Sequence, residues 1–273
     1  MTVVRPTALG GTRSSDRSAR LALAALAAAV VALAAAACGT KEAPGPLEPS
    51  CPTQGRVRFV NLITDPARNP VNVLLEGVPF GVNLGYTAAT PATLPAPSTA
   101  PYAPVCAGNR TMVVQQTANT SNTVATLAFT VDQGQDRTVY AIGGTGGSAV
   151  AGVVTTDDNP QAASNQTRVR VVNMSPTAGA IDVFITAPNA DLSTATPTAA
   201  NLAYQGASAY VTLAPGTYQF RAVPAGTAPA SRSASVTITL ASTTLSGGTG
   251  RTFVTADNNT GGAPLRAFVL SDR

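Results

Sequence analysis

The stretch "VRFVN", residues Val57 to Asn61, returns 112 positions later as "VRVVN", residues Val169 to Asn173. In the first copy Val57 and Phe59 fall on one face, and Arg56 and Arg58 on the other. A period of two is the signature of a β-strand. Each copy is followed within five residues by a proline, and its closing Asn is placed to bond the backbone of the turn that follows.

Outward from these strands the two halves match in order. "NPVNVLLEG" (69–77) pairs with "GAIDVFITA" (179–187), and "NLGYTAATPATLPA" (83–96) with "NLAYQGASAYVTLAPG" (201–216). "NRTMVVQQ" (109–116) pairs with "TYQFRAVP" (217–224), and "TLAFTVDQGQDRTVYAIGG" (126–144) with "SVTITLASTTLSGGTGRTFVTAD" (235–257). "AVAGVVTTDD" (149–158) pairs with "PLRAFVLSD" (264–272). Each element is a short run of β-formers bounded by Gly, Pro, Asn or Asp, and helical periodicity is absent after residue 38. The pattern predicts an all-β chain of two tandem immunoglobulin-like β-sandwich domains, 55–158 and 167–273, joined by a linker at 159–166.

Composition limits the chemistry. Only 11% of the 273 residues are charged and 5% aromatic, with no Trp and no His. The commonest general base and the commonest metal ligand are therefore missing. The net charge of +4 is concentrated at the start: Arg5, Arg13, Arg17 and Arg20 precede residue 38 with a single acid, Asp16. The remainder is close to neutral, which argues against a nucleic-acid partner.

Residues 1–37 read as an export signal. A basic start leads into the apolar run "LALAALAAAVVALAAAAC", Leu21 to Cys38, after which the chain turns polar and proline-rich. The segment resembles a bacterial lipoprotein signal, which implies that Cys38 is acylated and becomes the new N-terminus. It departs from that family's pattern at Ala35, where Leu is preferred. The alternatives are an uncleaved anchor or an ordinary secretory signal. Residues 38–54 then form a Pro-rich tether, and the expected location is the cell envelope, outside the cytoplasm, with the outer membrane or cell surface favoured. With Cys38 assigned to lipid, Cys51 and Cys106 remain as a pair in an oxidising compartment. A structural disulfide is expected; free buried thiols or a reactive thiol are the alternatives.

"VRVVNMSPTAGAIDVFI", "NLAYQGASAYVTLAPGTYQFRAVPAG" and "LRAFVLSD" together resemble DUF4397, a family of extracellular bacterial repeats of unknown function. The resemblance covers nearly all of 166–273 and, more weakly, 55–158. It implies a β-sandwich on exported proteins, often in pairs, and no activity. The first half departs at Cys106 to Arg110, where Arg110 stands in the place of Tyr218; the disulfide is expected to compensate.

No catalytic, cofactor-binding or metal-binding residue is assigned. "GGTGGS" (143–148) and "GGTGRT" (247–252) lack the lysine and the helix of a phosphate loop and read as hairpin loops. "TTDDNP" (155–160) and "ADNN" (256–259) lack the spacing of a calcium loop and read as turns. Asp182, between Ile181 and Val183, reads as a solvent-facing strand residue. Tyr204 and Tyr210 offer a possible binding surface, while Tyr218 reads as packing behind a Pro-Gly turn. The expected function is interaction or spacing by a lipid-anchored envelope protein without catalysis, its partner an envelope protein or polysaccharide. The alternatives are a carbohydrate- or polymer-binding module, or a hydrolase using carboxylates alone, for which Asp157, Asp182 and Asp257 are the candidates.

Overall fold

Alternation of β-branched and polar side chains builds seventeen strands among the described residues, which in this computed structural model are 51–91, 102–158 and 160–272. The signal segment, Cys38 and the tether as far as residue 50 lie outside them. The strands of the first half are β1 (Gln54–Ile63), β2 (Val71–Leu75), β3 (Val78–Leu84), β4 (Ala89–Thr90), β5 (Ala103–Cys106), β6 (Gly108–Gln116), β7 (Asn119–Val131), β8 (Asp136–Gly143) and β9 (Val150–Asp157). Those of the second are β10 (Thr167–Asn173), β11 (Ile181–Thr186), β12 (Ala199–Leu202), β13 (Val211–Leu213), β14 (Gly216–Pro224), β15 (Ile238–Leu245), β16 (Thr249–Ala256) and β17 (Arg266–Ser271). Among the described residues the only helical pieces are three-residue 3-10 turns, and no helix is long and apolar enough to cross a membrane. All the described residues belong to one compact unit, Pro44–Arg273.

Four sheets result. In the first half, β4-β1-β8-β9 form one sheet, with β5 also paired to β1, and β3-β2-β6-β7 form the other. In the second half the orders are β13-β10-β16-β17 and β12-β11-β14-β15. The two opening strands are the exceptions to antiparallel pairing: β1 runs parallel to β8, and β10 parallel to β16. Val57, Phe59, Val73, Met112 and Val139 join residues of both first-half sheets in one core. Val169, Ile181, Phe220 and Phe253 do the same in the second, where the two Phe rings stack 5.5 Å apart. Each such side chain contributes roughly 1.5–3 kcal/mol by leaving water.

The closing Asn of each opening strand is fully buried and holds the turn beyond it, as expected. Asn61 Oδ1 accepts from Ile63 N at 3.1 Å, and its amide donates to the carbonyls of Leu84 and Gly85. Asn173 Oδ1 accepts from Ser175 N at 3.2 Å and its amide donates to Gly179 O and Leu202 O. Cys51 and Cys106 form a disulfide with a Cα–Cα distance of 5.8 Å, fastening the residues before β1 to the end of β5.

Three expectations need correction. The stretch 247–252 is not a hairpin loop: Gly247 and Gly248 carry the chain from β15 into another sheet, and Thr249 onward is β16 itself. A Cβ on Gly247 would stand 1.8 Å from Ser164 O, so only glycine fits that crossing. Asp182 is 7% exposed rather than solvent-facing. Its carboxylate accepts from Asn201 N at 2.8 Å and Gly226 N at 3.1 Å, while Phe184, Leu192 and Val223 form a small apolar cluster on its side of the sheet. Finally, Thr155 to Asp157 are not turn residues but the end of β9, with Asp157 buried. Beside the disulfide, Arg110 also makes a bond like that of Tyr218. Tyr218 Oη donates to Ala214 O, four residues back, at 2.9 Å, and Arg110 Nε donates to Cys106 O, also four back, at 2.8 Å.

Candidate functional site

At the centre of the arginine face of the two opening strands, Arg58 and Arg170 do not meet solvent. They meet the other half. Arg58 is 1% exposed and Arg170 2%, and they are among the largest fully or almost fully buried side chains of a chain poor in charge. Around them Val60, Leu62, Tyr140 and Ile142 of the first half pack with Val172, Met174, Val254 and Leu270 of the second.

The register explains how the charges meet. Arg58 lies opposite Thr138 on β8, and Arg170 lies opposite Thr252 on β16. Arg58 Nη2 donates to Thr138 Oγ1 at 3.0 Å and then reaches across the seam. There it meets Asp272 Oδ1 at 3.0 Å, and its Nη1 donates to Ser271 O at 2.7 Å. Arg170 mirrors this: Nε donates to Thr252 Oγ1 at 2.9 Å, Nη1 to Thr156 O at 3.1 Å, and Nη2 to Asp157 Oδ1. Each threonine hydroxyl donates a hydrogen bond to its own half's aspartate, Thr138 to Asp157 and Thr252 to Asp272. Each arginine thus binds the aspartate that ends the other half.

Two tyrosines cap the network. The Tyr102 hydroxyl donates to Asp157 Oδ2 at 2.7 Å and its ring centroid lies 4.4 Å from the Arg58 guanidinium carbon. Tyr210 donates to Asp272 Oδ2 at 3.0 Å, with the Arg170 guanidinium 5.0 Å from its ring. A buried guanidinium is tolerable only when its charge and its donors are both matched, and these are. Burial alone would make Arg58 release its proton more readily. Tyr102, Asp272, Tyr140 and Asp157 outweigh that effect and hold its pKa above the usual arginine value. Arg170 is held up in the same way, with Asp157 the strongest of the opposing groups. Burial raises Tyr102 well above the ordinary phenol range and pushes Tyr140 up to about 12. The Tyr140 hydroxyl has no hydrogen-bond partner among the described residues.

The sequence-derived candidates take the following places. Tyr210 is a seam residue, its hydroxyl committed to Asp272. Tyr204 packs, half-buried, against the apolar cluster between the halves. Asp157 belongs to the arginine network, Asp182 holds Asn201 and Gly226, and Asp257 accepts from Ser175 Oγ, Thr177 Oγ1 and Gly262 N. None of these three acids shares a partner with another. Among the described residues, no three His, Cys, Asp or Glu side chains are grouped as metal ligands. Arg58, Arg170, Thr138, Thr252, Tyr102 and Asp272 were not singled out from the sequence. The signal was present, because both arginines, both threonines and both final aspartates stand at matching places in the two halves.

Open cavities flank the seam. Two of about 370 Å³ share Thr156 and Asp158; Arg56 and Asp136 line one, Arg168 and Tyr210 the other. Both are charged. A third, of about 460 Å³, is lined by Pro66, Asn69, Pro70, Asn83, Tyr86 and Asn259 and carries no charged side chain.

Four sheets thus surround two cores, and the two halves meet at a neutralised seam. A family model described as "Domain of unknown function (DUF4397)" matches residues 55–184, from the second residue of β1 into β11, and supports the DUF4397 family. The resemblance read from the sequence rested chiefly on 166–273; the match lies mostly before that segment. No curated protein matches this chain. Among solved structures, a leucine-rich repeat protein from Bacteroides thetaiotaomicron VPI-5482 is 14% identical, over 75% of this chain and 26% of that one, with a TM-score of 0.17. The Bacillus anthracis TIE protein is 11% identical over 63% of this chain and 28% of its own, with a TM-score of 0.20. This chain spans about a quarter of the length of each.

Proposed function

We propose that this chain is an exported, lipid-anchored cell-envelope protein that presents two tandem immunoglobulin-like β-sandwich domains as a fixed pair, acting through its surfaces and without catalysis. The corresponding strand orders of the two pairs of sheets support the tandem reading. The observation that carries the functional reading is the seam. Arg58, Arg170, Asp157 and Asp272, the groups best placed by burial for acid–base work, neutralise one another instead. Such an arrangement favours a set angle between the halves, which suits a spacer or a presenting scaffold. Acylation of Cys38 and a Pro-rich tether would hold that scaffold off a membrane, where its partner is an envelope protein or polysaccharide.

Metabolic labelling with a palmitate analogue tests the anchor. The native chain takes up label and Cys38→Ser does not; label retained by that variant overturns the lipid attachment. Crosslinking in the native envelope followed by capture of the tagged protein tests the interaction role. A reproducible envelope partner supports it, and recovery of the protein alone from every crosslinker argues against it.

A further inference from the structure

The uncharged cavity lies where the two halves meet: Pro66 to Tyr86 come from the first and Asn259 from the second. Its floor is built. Asn69 donates to Ile63 O at 2.7 Å and Asp65 O at 3.0 Å, and accepts from Asn61 at 2.7 Å, so its amide is fixed. The Tyr86 hydroxyl donates to Asp257 O across the seam at 2.6 Å, and the Arg266 guanidinium carbon lies 5.6 Å from its ring centroid, so the ring is fixed as well. Asn83, held in left-handed backbone at φ 56°, and Asn259 are exposed. Among the described residues neither amide side chain finds a hydrogen-bond partner.

These features select a ligand. An amide offers a donor and an acceptor side by side, as a hydroxyl group requires. Pro66, Pro70 and the Tyr86 ring supply apolar faces against which C–H surfaces can lie. No lining side chain is charged, and the nearby Arg266 is engaged with the Tyr86 ring, so a phosphate or carboxylate would meet no ion-pair partner in the lining itself. The cavity volume lies within the range of roughly 300–1,000 Å³ typical of small-molecule sites. We infer that this cavity binds a neutral saccharide, with Asn83 and Asn259 bonding its hydroxyls and Tyr86 and the prolines supporting its ring. This assignment rests on the surface-acting envelope role proposed above and names a ligand class for it. Tyr86 holds the place in "NLGY" that Tyr204 holds in "NLAY", and both pack half-buried against the cluster between the halves, with Tyr86 also lining the cavity.

The test is isothermal calorimetry on the protein purified in a sugar-free detergent, titrated with maltohexaose, cellohexaose and N-acetylchitohexaose. At least one of the three binds, and Asn83→Ala and Asn259→Ala each weaken it about tenfold, the cost of one good hydrogen bond. Asn122→Ala, on the exposed start of β7, leaves binding unchanged. Because Asn259 is exposed, Asn259→Ala unfolds as the parent does. Asn83→Ala also loses an Asn from left-handed backbone. Asn83→Gly, which that backbone accepts, is therefore read beside it and weakens binding without the fold cost. Absence of binding by all three sugars, binding indifferent to both substitutions, or occupation of the cavity only by a peptide of residues 39–50 overturns the assignment. Palmitate labelling and partner capture read the wider envelope role independently, so failure of the sugar site alone leaves that role standing.

Discussion

At the scale of single residues, the decisive fact is that Arg58 and Arg170 are charged, buried and answered from the opposite half. Removing one partner of a buried ion pair costs roughly 3–5 kcal/mol, since the other is left uncompensated. Arg58→Ala is therefore expected to lower the stability measured by urea unfolding by about 3 kcal/mol. Asp158→Ala, whose carboxylate is 85% exposed and stands 4.0 Å from Arg168, should cost under about 1 kcal/mol. Equal effects from the two would contradict the seam's importance. The buried phenols give a pH test with a definite sign. Tyr102 and Tyr140 have folded values raised above the ordinary value of about 10. Their contribution is complete below about pH 10 and lost as pH rises through the folded values, at about 1.4 kcal/mol per pH unit for each phenol. The urea midpoint should hold steady to about pH 9.5 and fall by pH 11.5, less steeply in Tyr140→Phe. A midpoint flat across that range would show that the phenols are not buried.

At the scale of elements, the all-β character was legible from period-two alternation, and the Asn that staples each turn from its place before a proline. What the alternation concealed was the second burial. Val60 and Leu62 share the arginine face of β1, as Val172 and Met174 extend that of β10, and a strand apolar on both faces belongs between two layers. Asp182 was misread for the same reason: Phe184 shares its face, and an aromatic residue there signals a cover of loops. Parallel pairing of β1 with β8 joins residues 80 apart, and no local signal encodes it. The Cys51–Cys106 pairing was legible by arithmetic once Cys38 was set aside. Its sequence separation of 55 gives a chain-entropy stabilisation of about 4 kcal/mol at most. Cys51→Ser should therefore lower stability by up to about 4 kcal/mol, read by urea unfolding under non-reducing conditions. An unchanged midpoint would mean that the clasp does not restrain the unfolded chain.

At the scale of the whole molecule, two cores of ordinary size are bridged by a third cluster and by four charges that sum to zero. None of the saccharide cavity was foreseen, because its lining gathers residues 66–86 and residue 259, and only the docking of the halves brings them together. The same docking predicts that the halves unfold as one. Differential scanning calorimetry of the native chain beside Arg58→Ala/Arg170→Ala tests this most directly. The native chain is expected to show a single transition whose calorimetric and van't Hoff enthalpies agree, and the double variant two separated transitions. Two resolved transitions in the native chain, at midpoints the double variant leaves unmoved, would contradict a joint built on the buried arginines.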